Sequence, residues 1–244
     1  TSFDRVYDLF PRLKERAEAT EAYCADESPL RGRAERVFLP RSEPELAALL
    51  RAAQEAGRPV TMSGGRTGIA GGAVPQGGWL ASTAGMVRFL GLRRDAAAEQ
   101  FYLRVEPGVT LESLQAALSS GTFPGADGWD AESRGALKAL RAGAWVFPPD
   151  PTERTATLGG MAACNASGAR TFHYGPTRRY IHRARAVLAG GGVLDLARGA
   201  AQAAPDGRFG LALPGGKVRE GRIPNYRLPD VKNAAGYFAR PGMD

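Results

Sequence analysis

Apolar residues recur at helical spacing early in the chain, between two short apolar runs. RVFLP (36–40) is stopped by proline and RPVTMSG (58–64) leads into glycines, so both runs predict strands. Between them, Ser42 is placed to cap a helix with Glu45 three residues on, and Gly57 is placed to end it. The apolar face of this helix comprises Leu46, Leu49, Leu50 and Ala53. The pattern predicts a β-α-β unit that runs directly into a glycine-rich loop.

The middle of the chain has the pattern of strands with one helix. WLAST (79–83), MVRFLGL (86–92) and YLRVEPG (102–108) predict strands, and Thr110 is placed to cap the helix that follows. Residues 119–144 are rich in Gly, Ser and charge, which indicates an insertion or mobile loop with a short helical stretch near 132–141.

The two ends of the chain differ in pattern. Residues 3–23 predict an amphipathic helix, and Pro11 predicts a break or kink within it. ARAVLAGGGVLDLAR (184–198) predicts two strands around a Gly-Gly-Gly turn. From LALPGGKV (211–218) onward, the sequence shows no pattern typical of a core.

Composition is typical of a globular, soluble protein, with 43% apolar and 23% charged residues. No run resembles a membrane span, and the first residues lack a signal pattern. Cys24 and Cys164 are too far apart in sequence to indicate a metal site or a disulfide framework, so we expect reduced thiols in a cytoplasm. His173 and His182 are too few for a histidine-rich metal site, and we expect no metal.

The formal net charge of +7 favours acidic partners, such as phosphates, carboxylates, nucleic acid or an anionic membrane. Its densest basic cluster comprises Arg178, Arg179, His182, Arg183 and Arg185. No zinc finger or aromatic RNA-binding motif accompanies this cluster, so we expect an ordinary basic surface and no nucleic-acid partner. A peripheral association with a membrane stays open.

The loop MSGGRTGIAGGAV (62–74) is rich in glycine. Because glycine weakens helices and strands, so many glycines indicate a specific structural or binding requirement. Successive backbone N–H groups in Ser63-Gly64-Gly65-Arg66-Thr67-Gly68 could form an anion cradle, with the two hydroxyls as added donors. The alternative is a tight, flexible connection. The spacing fits neither a P-loop nor the G-x-G-x-x-G of a Rossmann site.

A second segment, VFPPDPTERTATLGGMAACNASGARTFHYGPTRRY (146–180), repeats this chemistry. Its prolines stiffen the chain, and its paired glycines are followed by small residues. The segment is too long for an idle connection, which indicates a function. Two such segments suggest one large ligand held from two sides, such as a dinucleotide with its central pyrophosphate.

The residues of these two segments resemble those of a known family. SGGRTGIAGGAVP resembles the pyrophosphate loop of the PCMH-type FAD-binding domain of the vanillyl-alcohol oxidase and p-cresol methylhydroxylase family. The resemblance is strongest to D-lactate dehydrogenase and the glycolate oxidase flavoprotein subunit. It continues in order through LPRSEPELAALLRAAQEAGRPV, LRVEPGVTLESLQAAL, FPPDPTERTATLGGMAACNASGARTFHYGPTR and ARAVLAGGGVLDL, about residues 36–198.

The resemblance implies an α+β fold in which FAD lies between two α/β subdomains. The first loop would bind the cofactor through Ser63, Gly64, Gly65, Arg66, Thr67 and Gly68. The second segment would bind it through Pro148, Asp150, Thr157, Gly159, Gly160, Ala163, Asn165, Ser167, Gly168, Tyr174, Gly175 and Thr177. The roles of Arg170 and His173 stay open.

One departure from the family is informative. Some members attach the flavin through a histidine just after the paired glycines, and Arg66 stands there in this chain. We therefore predict non-covalent FAD.

The resemblance divides the chain into an N-terminal helical segment (1–35), the FAD-binding domain (36–210, with subdomains of about 36–90 and 91–210) and a C-terminal extension (211–244). KNAAGY (232–237) is similar to the approach to a flavin-contacting segment. The cap domain that the hydroxy-acid members carry after that point has no counterpart here. We therefore expect a missing cap or a partner subunit, without which the chain could be inactive, and we nominate no catalytic residue.

The implied function is that of an FAD-dependent dehydrogenase, with hydride transfer from a small 2-hydroxy acid such as D-lactate or glycolate and an electron acceptor as partner. The alternative is the flavin-binding module of a related enzyme, similar to UDP-N-acetylenolpyruvoylglucosamine reductase or alkyl-glycerone-phosphate synthase.

Overall fold

The computed structural model describes residues 21–224, 228 and 238–243, which form a mixed helix and strand fold. The strands are β1 (Arg36–Phe38), β2 (Val60–Ser63), β3 (Trp79–Ser82), β4 (Phe89–Asp95), β5 (Gln100–Val105), β6 (Arg183–Val187), β7 (Val193–Ala197), β8 (Arg208–Ala212) and β9 (Val218–Arg222). The α-helices are α1 (Glu43–Glu55), α2 (Leu111–Ser120), α3 (Ala131–Leu140), α4 (Leu158–Ala163) and α5 (Thr171–Tyr174).

The first unit is a three-stranded parallel sheet in the order β1-β3-β2, covered by α1. The hydroxyl of Ser42 accepts the N–H of Glu45 at 3.4 Å, and the Glu45 carboxylate accepts the N–H of Arg41 at 2.9 Å, so the predicted cap is confirmed. The buried residues of this unit form one cluster: Phe38, Leu46, Leu49, Leu50, Ala52, Ala53, Trp79, Ala81 and Met86. The sheet ends at Ser63, where the glycine-rich loop begins.

The second unit is the antiparallel pair β4–β5 packed with α2 and α3. The hydroxyl of Thr110 accepts the N–H of Ser113 at 3.1 Å, which confirms Thr110 as the cap of α2. The core of this unit comprises Phe89, Leu92, Val109, Leu114, Ala117, Phe123, Trp129, Ala136, Leu137 and Leu140.

The interpretation of residues 119–144 as an insertion or mobile loop is wrong, although the helical stretch within it is confirmed. Trp129 is buried, and its indole N–H donates to the Phe89 carbonyl at 3.0 Å. Leu137 and Leu140 of α3 are also buried in the core. The overall composition of this segment is polar and indicates a loop. Its few apolar residues nevertheless complete the core of the second unit.

The predicted hairpin at 184–198 is confirmed as the antiparallel pair β6–β7. Its turn rests on α1, because a β-carbon at Gly191 would lie 2.5 Å from the Ala47 carbonyl oxygen. Arg185 of β6 donates to both carboxylate oxygens of Glu43 in α1, at 2.8 and 2.7 Å, and also pairs with Asp195 of β7. The hairpin is therefore fixed to the first unit by packing and by charge.

A second hairpin, β8–β9, follows where the sequence pattern predicted no core-like end. The domain boundary predicted at residue 210 falls inside β8. The predicted helix at 3–23 lies outside the described residues except for the single 3₁₀ turn Glu21–Tyr23, and KNAAGY (232–237) lies wholly outside them.

Candidate functional site

The glycine-rich loop begins where β2 leaves the parallel sheet. Ser63 is buried, and its side-chain oxygen forms no hydrogen bond with any described residue. Its carbonyl oxygen lies 3.4 Å from the Thr83 hydroxyl, which donates to it. A buried polar atom without a partner is costly, so this hydroxyl is available to a ligand.

The loop lies directly against the second glycine-rich segment. A β-carbon at Gly64 would lie 2.5 Å from Oγ1 of Thr157, and one at Gly65 would lie 2.7 Å from the carbonyl oxygen of Thr155. These two glycines are therefore required by the contact between the segments. The sequence predicted two segments on one ligand, and in the structure the two segments also contact each other.

The other end of the loop faces open space. A β-carbon at Gly68 would meet no atom within 4 Å, and the same holds at Gly72. Arg66 has φ of 59°, the left-handed conformation in which successive N–H groups can converge on an anion. No described residue accepts a hydrogen bond from the N–H groups of residues 64–68. The donor set that a phosphate needs is thus present at this surface.

The second segment is held in place by the loop between β5 and α2. The N–H of Gly159 donates to the Pro107 carbonyl at 2.9 Å, and that of Leu158 to the Val109 carbonyl at 2.8 Å. A β-carbon at Gly159 would lie 2.5 Å from Cβ of Pro107. Thr157 caps α4 by accepting the N–H of Gly160 at 3.3 Å. Gly159 therefore serves close packing of α4 against this loop.

After α4, polar side chains fix a turn. Asn165 has φ of 48°, and its side-chain oxygen accepts the N–H of Arg178 at 3.1 Å. The buried hydroxyl of Thr177 donates to the Ala166 carbonyl at 2.8 Å. Residues 177–180 are thereby fixed to the residues that follow α4.

An open cleft of about 2790 Å³ runs between the two units. This volume exceeds the roughly 300–1,000 Å³ of most small-molecule pockets, so a dinucleotide has room. The predicted site residues that line it are Ser63, Gly64, Gly65, Arg66, Thr67, Gly68, Pro148, Thr157, Gly159, Gly160, Ala163, Ser167 and Thr177.

The other predicted site residues shape the second segment behind the cleft wall: Asp150, Asn165, Gly168, Tyr174 and Gly175. A β-carbon at Gly168 would overlap the Asp150 carbonyl oxygen, and Gly175 has φ of 82°. The Asp150 carboxylate pairs with Arg170 at 3.2 Å, which gives Arg170 a structural contact. The carbonyl of Tyr174 accepts the hydroxyl of Tyr180 at 2.8 Å.

Two carboxylates that line the cleft, Asp26 and Glu106, were not predicted from the sequence. Burial raises the pKa of Asp26, but hydrogen bonds from Ser28 and from the N–H groups of Ala73 and Gly71 outweigh it, so the pKa lies below its usual value. Buried Glu106 accepts the backbone N–H of Arg88 at 2.9 Å and its guanidinium at 3.0 and 2.7 Å. That contact raises the pKa of Arg88. Arg88 lies 18 positions from Glu106, so no local motif could have indicated that pair.

Two absences concern only the part of the chain that the structure describes. No group of three or more His, Cys, Asp or Glu side chains there is arranged to hold a metal ion. No helix within it has the length and apolar character needed to cross a bilayer.

Comparison with known proteins decides the family. Residues 34–137 and 134–197 match the FAD binding domain family. The chain belongs to this family. The match spans the loop, the second segment and the β6–β7 hairpin, which makes the chain an FAD-binding domain of the PCMH type.

Curated relatives of this FAD-binding domain include dehydrogenases of 2-hydroxy acids. The chain is 35% identical over 182 residues to a D-lactate dehydrogenase of Anaerostipes hadrus, covering 73% of this chain and 33% of that protein. It is 34% identical over 198 residues to a D-lactate dehydrogenase of Archaeoglobus fulgidus, covering 79% and 37%. A D-2-hydroxyglutarate dehydrogenase of Pantoea ananatis is 33% identical over 163 residues, covering 65% and 13%. The chain thus spans about a third of the length of the first two.

Solved structures support the fold. An alkyldihydroxyacetonephosphate synthase superposes with a TM-score of 0.58 at 19% identity, covering 80% of this chain and 34% of that one. The glucooligosaccharide oxidase of Acremonium strictum, described with a 6-S-cysteinyl, 8α-N1-histidyl FAD, superposes with a TM-score of 0.56 at 16% identity, covering 81% and 37%. At these identities the likeness shows the fold alone, and it confirms the predicted fold class.

Proposed function

We propose that FAD lies in the cleft with its diphosphate on the N–H groups of residues 64–68. The observation that carries this proposal is the donor set: free N–H groups beside a buried Ser63 hydroxyl without a described partner. Thr157 and Gly160 of the second segment stand across from this loop. Asn165, Gly168 and Thr177 serve by holding the second segment in place.

The cofactor is held without a covalent bond in this proposal. Arg66 occupies the position at which the family resemblance places a flavin-linking histidine, and its guanidinium stacks 4.8 Å from the centre of the Tyr23 ring. In that covalent linkage the flavin is bonded to a histidine side chain, and Arg66 has a guanidinium group instead. The contacts expected for FAD are hydrogen bonds and packing.

We further propose that the full-length protein oxidises a small 2-hydroxy acid, D-lactate or glycolate, in a cytoplasm and passes the electrons to a separate acceptor. The two D-lactate dehydrogenases at 34–35% identity support this assignment. Bound FAD supplies the hydride-accepting ring, and this chain's own residues bind and orient it. A cap domain or partner subunit would supply the groups that bind the substrate.

Anaerobic reduction of the flavin tests the proposed reaction. The full-length protein, loaded with FAD, is mixed with D-lactate, glycolate, L-lactate or NADPH, and the oxidised-flavin absorbance is followed. We expect D-lactate or glycolate to bleach it, with L-lactate as the stereochemical control. Bleaching by NADPH alone would instead support the reductase reaction, and a flavin that none of them reduces would contradict the dehydrogenase assignment.

A further inference from the structure

The basic cluster singled out in the sequence divides into two parts in the structure. Arg183 and Arg185 are ion-paired with Asp195, at 2.6 and 2.5 Å, and Arg185 also pairs with Glu43. Their charges are therefore matched by nearby carboxylates. His182 stacks on Tyr102 with ring centres 4.3 Å apart. These residues are accounted for by packing between elements of the fold.

Arg178 is different, because one end of its guanidinium is buried without a partner. Its Nη1 atom is inaccessible to solvent, and no described residue accepts a hydrogen bond from it. The ring of Phe238 lies 3.6 Å from the guanidinium carbon and covers one face of the group. A guanidinium carries donors in a fixed fork, so a buried N–H without an acceptor is costly.

Two further arginines are near enough to act on the charge of this group. The guanidinium carbon of Arg240 lies 5.8 Å from the centre of the same Phe238 ring, and Arg179 follows directly in the chain. Burial, then the positive charges of Arg179 and Arg240, lower the pKa of Arg178. Among the described residues, no carboxylate pairs with any of the three. Like charges gathered in this way repel unless an anion joins them.

The position of the cluster is fixed by the second segment. The N–H of Arg178 donates to Asn165, and Arg179 lines the cleft. The side chain of Arg179 crosses Gly175, where a β-carbon would lie 2.6 Å from its Nε atom. The backbone of Arg178 and the side chain of Arg179 are thus positioned by contacts within the second segment.

We propose that Arg178, Arg179 and Arg240 form a binding site for a small oxyanion, a carboxylate or phosphate group. The guanidinium of Arg178, whose Nη1 donor lacks an acceptor among the described residues, supplies directed donors, which suits the planar or tetrahedral oxygens of such groups. The other two arginines supply charge. The anion has two candidate sources: the diphosphate of bound FAD, which would then contact these arginines as well as residues 64–68, or a free acid such as the substrate.

Thermal unfolding of the chain tests this site, with sodium phosphate and D-lactate as probes against sodium chloride at equal ionic strength. A ligand that binds only the folded state raises the melting temperature. We expect phosphate or D-lactate to raise it in the wild type, and Arg178→Met to weaken the apparent affinity at least about tenfold, the loss typical of one charged contact. Arg94→Met, an exposed arginine on β4, is the control and should respond as the wild type does.

Two features keep the test decisive. Arg178→Met removes a half-buried charge with one buried N–H donor that lacks an acceptor among the described residues, so this variant should melt no lower than the wild type in chloride. Arg240→Met changes an exposed side chain and should weaken the anion response without unfolding the chain. Equal responses in chloride, phosphate and D-lactate, or an Arg178→Met variant that responds as the wild type does, would overturn the site.

A second arm identifies the source of the anion. If the chain loaded with FAD loses the phosphate response, the cofactor supplies the oxyanion. If the response persists with FAD bound, the site takes a separate acid. FAD binding itself is read from flavin absorbance, so failure of the anion site and failure of the proposed cofactor site are distinguishable.

Discussion

Gly64 and Thr157 are in contact although they lie 93 positions apart in the sequence, and this contact joins the two glycine-rich segments. A β-carbon on Gly64 would lie 2.5 Å from Oγ1 of Thr157, which is closer than real β-carbons approach. The same hydroxyl caps α4 by accepting the N–H of Gly160. The side of the cleft that we assign to FAD is thus built by direct packing of one segment on the other.

This contact predicts a specific coupling between two substitutions. Gly64→Ala should lower the free energy of unfolding by about 1–3 kcal/mol, the usual cost of forcing extra volume into a packed contact. Thr157→Ala should cost about 1 kcal/mol through loss of the cap. In the double variant the clash is relieved, because Cβ of residue 157 would be 3.8 Å from the new β-carbon. Urea unfolding of the four proteins measures the coupling.

We expect the double variant to be clearly more stable than the sum of the single effects predicts. Additivity within about 0.3–0.5 kcal/mol, as found for independent sites, would contradict the contact. Gly72→Ala is a suitable control, since its β-carbon would meet no atom within 4 Å.

The local elements could be predicted from sequence because their signals are local. Ser42 and Thr110 were predicted as caps, and both side chains accept the expected N–H groups. Glycines between two apolar runs likewise predicted the β6–β7 hairpin. The β8–β9 hairpin was missed, because β8 is only half-buried at alternate positions, β9 is mostly exposed, and the two strands around the PGG turn have few apolar residues.

The candidate site could be located from sequence, but its contacts could not be predicted. Gly64, Gly65, Gly159 and Gly168 were all expected to approach the ligand. In the structure a β-carbon at each would meet protein atoms, and among the predicted site glycines it is Gly68 whose surroundings are open. Glycine spacing cannot distinguish close approach to a ligand from close approach to another segment of chain.

The ion pair between Glu43 and Arg185 predicts a pH dependence of stability. The hydrogen bond from Arg185 lowers the pKa of Glu43 from its usual value of 4.5. A carboxyl with a lowered folded pKa adds stability above its unfolded pKa, and that stability is lost as the pH falls through the folded pKa. Glu43→Gln should therefore cost about 0.2–1 kcal/mol at pH 7, typical of an exposed pair, and almost nothing at strongly acidic pH.

Urea unfolding at both pH values checks this prediction. Glu55→Gln, at the other end of α1, serves as the control because no described residue pairs with Glu55. A cost of Glu43→Gln that is the same at neutral and strongly acidic pH would show that the ion pair does not stabilise the fold.

The mode of flavin attachment is testable by denaturation. After precipitation of the FAD-loaded chain in acid, we expect the yellow flavin in the supernatant, because Arg66 replaces the linking histidine. Flavin that stays with the pellet would contradict the prediction of non-covalent FAD. Cys164 lines the cleft and is exposed, so repeating the experiment with Cys164→Ser would show whether this thiol is the attachment point.

The central claim, that residues 64–68 hold the FAD diphosphate, is tested most directly by flavin titration of Gly68→Asp against Gly72→Asp. Both positions have room for a side chain, and neither has the positive φ that only glycine favours. Each variant adds one negative charge to the same loop. We predict that Gly68→Asp weakens FAD binding at least about tenfold, equivalent to 1.4 kcal/mol, while Gly72→Asp stays near the wild type. Equal affinities in the two variants would contradict the assignment of the diphosphate to this loop.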